Sequence, residues 1–436
     1  MLSIITTPPL RRGRARPCAL LAALAFTFAF AFVYSTVRAQ DAAVTLDAAL
    51  QAAAERNTTI QAAQASVDAS ADAALRAGQL PNPTLMAGVD NLPVNGSRAF
   101  TIGQDILTMR RIGIEQEWVS SRKRRLRSDL AGEEVERERS GYLGQLAKVR
   151  EQTATAWLNA AYAKRAIVLQ QALLDHMNHE LAATQASYRG ARATAADVVQ
   201  AQAMLAQAND DLLKARQVFQ TALIGLSRWT ASPVTDVAGD PPAPQSVVPS
   251  LPPEQLRDVQ PILIAASADI RVADADSAVA HSNRSSNWTW NVSYLQGGGN
   301  SRFMSVGVSV PLPINRKNVE DREESAKAEL ATKARLIYED TQRQVESDIR
   351  ALSATLASGR ERIAGLQQTL LPAADQRVSL ATAAWQAGAG SLADTFAAQR
   401  AQLDAQLQVL GLQRDVSLVW AQLEYQVVPP RPSASQ

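Results

Sequence analysis

The chain nearly lacks cysteine: among 436 residues the single one is Cys18, close to the N-terminus. Disulfides and thiolate metal sites are thereby excluded from the rest of the chain, and a cysteine-free body suits an oxidising compartment. Aromatics are scarce, at 5%. A surplus of either charge is also missing, with 44 Lys and Arg against 42 Asp and Glu. The formal net charge of +2 offers no general attraction to nucleic acid. There is no glycine-rich phosphate loop, no serine elbow and no His–acid arrangement suited to hydrolysis. The expectation is a protein that is not an enzyme and takes no cofactor. Past the first forty residues no apolar run approaches the ~20 residues of a spanning helix. If the body of the chain enters a membrane, it must do so as a closed barrel.

What is present begins with an export segment. Arg11, Arg12, Arg14 and Arg16 precede an apolar run from Ala19 to about Val33, and Val37-Arg38-Ala39 places small residues at −3 and −1. This pattern predicts a secretory signal peptide over 1–39, cleaved after Ala39. Cys18 lies before the apolar run, where a lipoprotein cysteine would follow it, and is removed with the signal.

The remaining sequence repeats once, with a period just under two hundred residues. Trp118-Val119-Ser120-Ser121-Arg122-Lys123 parallels Leu312-Pro313-Ile314-Asn315-Arg316-Lys317. Tyr188 stands to Asp197 as Trp385 stands to Asp394, and Val198-Val199-Gln200-Ala201-Gln202 echoes Thr395-Phe396-Ala397-Ala398-Gln399. A period this long is one structural unit used twice. The first repeat is read as 40–230 and the second as 254–428. The proline-rich stretch 231–253 between them reads as an extended linker, and 429–436 as a tail of the same character.

Each half opens with alanine-rich helical sequence, Leu46 to Leu80 and Glu254 to about Ser282. Period-two segments follow, as β-hairpins over about 84–119 and 288–312. Trp288, Trp290, Val292 and Tyr294 alternate with Thr289, Asn291 and Ser293. Val306, Val308, Val310 and Leu312 alternate with Ser305, Gly307 and Ser309. In the first half Leu85, Ala87 and Val89 share a face, as do Ile112, Ile114 and Trp118. One apolar and one polar face over about ten residues fits a transmembrane barrel with a wet lumen. A soluble hairpin packed on helices fits equally well on this pattern alone. Four strands close no useful lumen, so the barrel reading requires oligomerisation.

Long helices come next, as hairpins over about 120–229 and 315–425. Tyr142, Leu146, Val149, Thr153, Ala156, Ala160, Ala163 and Ile167 follow heptad spacing, as do Val345, Ile349, Leu352, Leu356, Gly359, Ile363 and Leu366. Such seams supercoil against neighbours. An unbroken helix from Arg124 to Gln185 would run roughly 90 Å, too long for a compact domain. Breaks at Tyr188-Arg189-Gly190-Ala191-Arg192-Ala193-Thr194 and Gln386-Ala387-Gly388-Ala389-Gly390-Ser391 turn each helix back, with Thr194 and Ser391 placed as N-caps.

A twice-used unit of helix, β-hairpin and coiled-coil hairpin behind a signal peptide resembles the TolC-like outer-membrane efflux proteins. The resemblance spans nearly the whole mature chain. Its most specific pieces are Leu80-Pro81-Asn82-Pro83-Thr84, Arg122-Lys123-Arg124-Arg125-Leu126-Arg127 and the two tips ending in Asp197 and Asp394. The resemblance implies a mixed α and β membrane protein: a homotrimer whose chains each give four strands to one 12-stranded β-barrel, continued by an α-helical barrel. It implies a passive outer-membrane duct with a large periplasmic part, an adaptor (membrane fusion) protein at the helical tips, and an inner-membrane pump. The region from Leu80 to Arg127 looks closer to partners of metal and drug pumps of the resistance-nodulation-division type than to protein-secretion ducts.

The resemblance also places a pore gate or adaptor contact at Tyr188, Arg189, Gly190, Arg192, Asp197, Trp385, Gly388, Gly390 and Asp394. Trp385 stands where the family often has tyrosine, and Gly390 where some members carry a basic latch residue. For Asp197 and Asp394 the other reading is a first-turn carboxylate capping the returning helix, and the two roles are compatible. Arg122, Lys123, Arg124 and Arg125, with Arg316 and Lys317, read as a periplasmic rim reaching lipid phosphates; a solvated helix start is the alternative. His176 and His179 can share a helix face near Asp175 and Glu180, but such pairs arise by chance on long solvated helices, and no metal site is assigned. Two rival functions remain: a type I protein-secretion duct, and a periplasmic coiled-coil scaffold with no pore.

Overall fold

The computed structural model describes residues 43–428, apart from residue 103 and the side chain of residue 300. The signal peptide with Cys18 and the tail 429–436 lie outside the described residues.

The two repeats unfold in order. Thr45 caps α1 (Leu46–Arg56) by accepting from the Ala48 amide at 3.3 Å. The single helix expected from Leu46 to Leu80 is broken at Asn57, whose Oδ1 accepts from the Thr59 amide at 2.9 Å and starts α2 (Thr58–Ala77). A short polar side chain that bonds its own backbone favours a cap over helix continuation. Strands β1 (Thr84–Asp90) and β2 (Met109–Trp118) follow. Then comes α3 (Ser121–Arg189), 69 residues and about 100 Å long, and its return α4 (Ala195–Thr230).

The second repeat departs in two places. Its opening helix is cut into α5 (Pro253–Val259) and α6 (Pro261–Asn283), because Pro261 has no amide to continue the ladder. After β3 (Trp288–Gln296) and β4 (Arg302–Ser309), helix α7 (Glu320–Gln386) begins five residues later than the expected 315. Pro311 and Pro313 hold the chain extended there, and no side chain caps the start. Helix α8 (Leu392–Tyr425) returns.

The four strands form one antiparallel sheet in the order β1-β2-β3-β4. Among the described residues no helix is long and apolar enough to cross a membrane. The core is strung along the helices. Its largest part gathers Trp157, Leu158, Leu226, Leu263, Trp420 and Leu423. The stretch 231–253 winds through a short 3-10 helix at Val248–Ser250 into the start of α5 and is packed down. Val237 bridges Val44 in parallel, Val234 and Val248 are buried, and two indoles hold the strap's surroundings: Trp157 Nε1 donates to Val44 O and Trp420 Nε1 to Gln245 O, each at 2.8 Å. Lys164 and Arg165 add ion pairs to Asp236 and Asp240 at 2.7 Å. A connection bonded to this degree is a structural belt across the middle of α3 and the C-terminal end of α8.

Candidate functional site

Three regions carry the chemistry: the sheet, the corner where it meets the helices, and the two tips.

Cross-strand partners put side chains on one face, so the register sorts the sheet. Leu85 faces Ile114, Ile112 faces Tyr294, Val292 faces Val306 and Trp290 faces Val308. This face is apolar yet bare: Leu85, Met304, Val306 and Val308 are 64% to 74% exposed. Trp118 and Trp288 lie side by side at its helix-proximal edge, with ring centroids 5.9 Å apart. The opposite face pairs Gly113 with Ser293, Asn291 with Gly307 and Ser293 with Ser305. Its middle is small and polar and it carries the Arg111–Asp90 ion pair at 2.7 Å, while Leu295 and Phe303 pair on it toward the end away from the helices. A Cβ on Gly113 would overlap Ser293 Oγ, so the close approach of β2 and β3 on this face requires glycine there. Among the described residues nothing pairs with the outer edges of β1 and β4.

At the corner, the basic run divides. Arg122 and Arg125 are exposed, Arg124 is half-buried, and Arg316 and Lys317 are exposed. Lys123 corrects the rim expectation. It is 5% exposed, and its ammonium donates to Ser285 O and to Asn287 Oδ1, the latter at 2.9 Å. Asn287 in turn donates to Glu117 at 2.7 Å. Burial, with Arg127 adding to it, lowers the Lys123 pKa, and Glu117 opposes the shift. Lys123 therefore ties β2 and α3 to the residues before β3 and does not reach for lipid. Sequence spacing places it among its basic neighbours, but only the 162-residue separation from Ser285 being closed in space reveals its partner.

At the tips, Thr194 and Ser391 each form a full capping box. Thr194 Oγ1 accepts from the Asp197 amide while Asp197 accepts from the Thr194 amide at 2.8 Å; Ser391 and Asp394 do the same, with Ser391 Oγ donating at 2.7 Å. The Thr194 bonds hold the Asp197 carboxyl below its ordinary pKa, as the Ser391 side chain and then its backbone do for Asp394. The cap role of both aspartates is thus made. Gly388 takes φ +71° to end α7, whereas the first tip uses Ala191 at φ +54°. Arg192 and Asp197 of the first tip meet Trp385, Gly388 and Gly390 of the second along a cleft of about 540 Å³. Tyr188, Arg189 and Gly190 are exposed beside it, and Asp394 stands outside the lining. Trp385 packs with Met177, Leu392 and Phe396 beneath.

Just above, Arg400 on α8 pairs with Asp211 on α4, and His176 on α3 meets Gln399. Burial pushes the Asp211 pKa up, but the Arg400 hydrogen bond and charge bring it to a net lowering. This link between the hairpins joins residues 189 apart, so no local signal announces it. His176 lies 3.8 Å from Glu180, and among the described residues no group of three His, Cys, Asp or Glu is arranged to hold a metal.

No family model matches the chain. It is 25% identical over 374 residues to the cobalt-zinc-cadmium resistance protein CzcC of Cupriavidus metallidurans, covering 85% of this chain and 86% of that protein. Its fold matches a membrane protein from Pseudomonas aeruginosa (TM-score 0.73, 17% identity, 87% and 90% of the two chains). It also matches the outer membrane protein VceC of Vibrio cholerae (TM-score 0.70, 16% identity, 87% and 95%).

Proposed function

We propose that this chain, a member of the TolC-like outer-membrane efflux proteins, is the passive exit duct of a tripartite efflux system for small toxic solutes, drugs or metal ions. The carrying observation is the sheet: an exposed apolar face, a face with a small polar middle, and two edges unpaired among the described residues, in one four-stranded piece. In water such a face costs on the order of 25 cal/mol for each Å² left exposed, and open edges invite pairing. Three copies joined edge to edge give a 12-stranded barrel whose apolar outside meets outer-membrane lipid and whose polar inside is wet. The long hairpins then reach into the periplasm, an adaptor docks at the two tips, and an inner-membrane pump supplies the energy. Asp197 and Asp394 bring carboxylates to a tip that also carries Arg189 and Arg192, and Arg122, Arg124, Arg125, Arg316 and Lys317 face the membrane rim. The protein is not an enzyme.

The relative's name points to divalent metals, so the growth test includes them. A deletion strain is grown on metal salts, dyes, detergents and antibiotics, with the wild-type gene restored as control. Hypersensitivity to a restorable subset is expected and names the cargo class. Unchanged growth together with loss of a secreted protein would favour a protein-secretion duct. Release of the chain from membranes by salt or alkali, without detergent, would favour the scaffold.

A further inference from the structure

The apolar face of the sheet ends, at the side away from the helices, in a basic row. Arg110 pairs with Gln296, and Gln296 with Arg302, so the three side chains stand next to one another on β2, β3 and β4. Strand alternation fixes their face: Arg110 is two residues from Ile112, Gln296 two from Tyr294 and Arg302 two from Met304. Both arginines are exposed and Gln296 is half-buried. Among the described residues neither arginine has an ion pair or a side-chain hydrogen bond. Arg111, one residue along, turns to the polar face and is held by Asp90 at 2.7 Å. The fourth residue of the row is Val89, so the row itself carries no acid. Two guanidinium groups rooted two strand spacings apart, about 10 Å, are thus left to an anion from outside the chain.

A second observation, the height of the row, says which anion reaches it. Below it the face is bare and apolar, with Ile112, Tyr294, Met304 and Val306 45% to 74% exposed. At the helix-proximal end of the same face lie Trp118 and Trp288. Trp118 and Arg110 are the two ends of eight residue steps along β2, about 27 Å at ~3.4 Å each. With the strand tilt of roughly 35–45° found in membrane barrels, this becomes a height of ~20 Å, close to their ~25 Å apolar band. The indoles and the basic row therefore bound the apolar strip at its two interfaces with headgroups. With the helical hairpins in the periplasm, the row is level with the outer leaflet, whose lipid carries phosphates on a sugar headgroup. Arginine lays its stem along apolar surface, keeps its charge among headgroups and grips phosphate with two parallel N–H donors.

We propose that Arg110, Gln296 and Arg302 form a binding site for a phosphorylated glycolipid of the outer leaflet, one per chain. Each guanidinium takes a phosphate, and the Gln296 amide between them meets the sugar. The site rests on the barrel reading above, fixes the depth of the duct in its membrane, and lies on neither the lumen face nor the tips.

The test is native mass spectrometry of the full-length mature protein in detergent at fixed ionic strength. Diphosphoryl lipid A is the probe, with phosphatidylglycerol and inorganic phosphate as comparators. Lipid A is expected to bind at one per chain and at least tenfold more tightly than phosphatidylglycerol, and a tenfold excess of inorganic phosphate should not displace it. Arg110→Gln and Arg302→Gln should each weaken lipid A at least fivefold, whereas Arg111→Gln, on the other face, should change it less than twofold. Gln296→Arg, which adds a third guanidinium to the row, should tighten it several-fold, a gain that no misfolded variant can mimic. Release of the chain from membranes without detergent would overturn the barrel reading and this site with it. In a detergent-extracted trimer, equal binding of phosphatidylglycerol, displacement by inorganic phosphate, or equal effects of the Arg110, Arg302 and Arg111 substitutions would overturn the site alone.

Discussion

At the scale of single residues, the two kinds of polar group in this protein behave oppositely. The tip aspartates are solvent-facing and do local work. Each carboxylate is spent on its own N-cap, and each folded pKa is lowered. For a lowered carboxylate the stabilisation is complete above the unfolded value of ~3.9 and is lost as pH falls through the lower folded value. Amide exchange of the first turns of α4 and α8, corrected for intrinsic rate, is therefore expected to stay level from pH 8 to pH 5 and to quicken only below about pH 4. Thr194→Ala should lower local protection at every pH by about 1 kcal/mol. Lys123 is the buried counterpart. Lys123→Ala leaves Ser285 O and Asn287 Oδ1 without their donor, at about 1–3 kcal/mol, whereas Arg125→Ala on the exposed side should stay within about 0.5 kcal/mol. Comparative thermal melts check the pair, and equal melts would return Lys123 to the rim.

At the scale of elements, the hairpins depend on small residues in their seams. Gly359 is a seam position of α7, and a Cβ there would overlap Val416 Cγ2 on α8. Gly359→Leu is expected to destabilise the second hairpin by about 1–3 kcal/mol through overpacking, and Val416→Ala in the same chain should recover part of it. A melt of the double variant no higher than the single would show that the seam is not where the two helices touch. These seams were legible in the sequence: of the heptad positions read on α3, Val149, Thr153, Ala160 and Ala163 are buried, and on α7 Val345, Ile349, Leu356 and Gly359 are. The strand faces were legible too, because alternation is a local property, and the register pairs the residues that alternation sorted. What stayed hidden is whatever joins distant segments. The breaks at Asn57 and Pro261 show themselves only as a cap and a missing amide within otherwise helical sequence. The burial of Lys123, the Asp211–Arg400 link and the packing of the proline-rich strap all depend on which helices become neighbours, and periodicity does not carry that information.

For the whole molecule, the question is which side of the sheet meets lipid, and the two faces give opposite answers to the same substitution. Val306 is central in β4, 69% exposed and on the apolar face, while Ser305 beside it is on the polar face. A lysine near the middle of a bilayer costs about 2–4 kcal/mol in a barrel of this kind, and a trimer meets that cost once per chain. Val306→Lys is therefore expected to reduce the detergent-requiring, outer-membrane pool of the protein sharply, while the helical hairpins, which do not touch this face, keep their circular dichroism. Ser305→Lys adds the same charge one residue away but turns it into the lumen, where it remains hydrated. That variant should insert at wild-type levels and alter ion selectivity in planar bilayers toward anions. The reverse pattern, with Ser305→Lys failing to insert and Val306→Lys inserting normally, would place the polar face outward and turn the duct inside out. Equal insertion of both would mean that the sheet never enters the membrane, and the exposed valines would then need a protein partner to cover them.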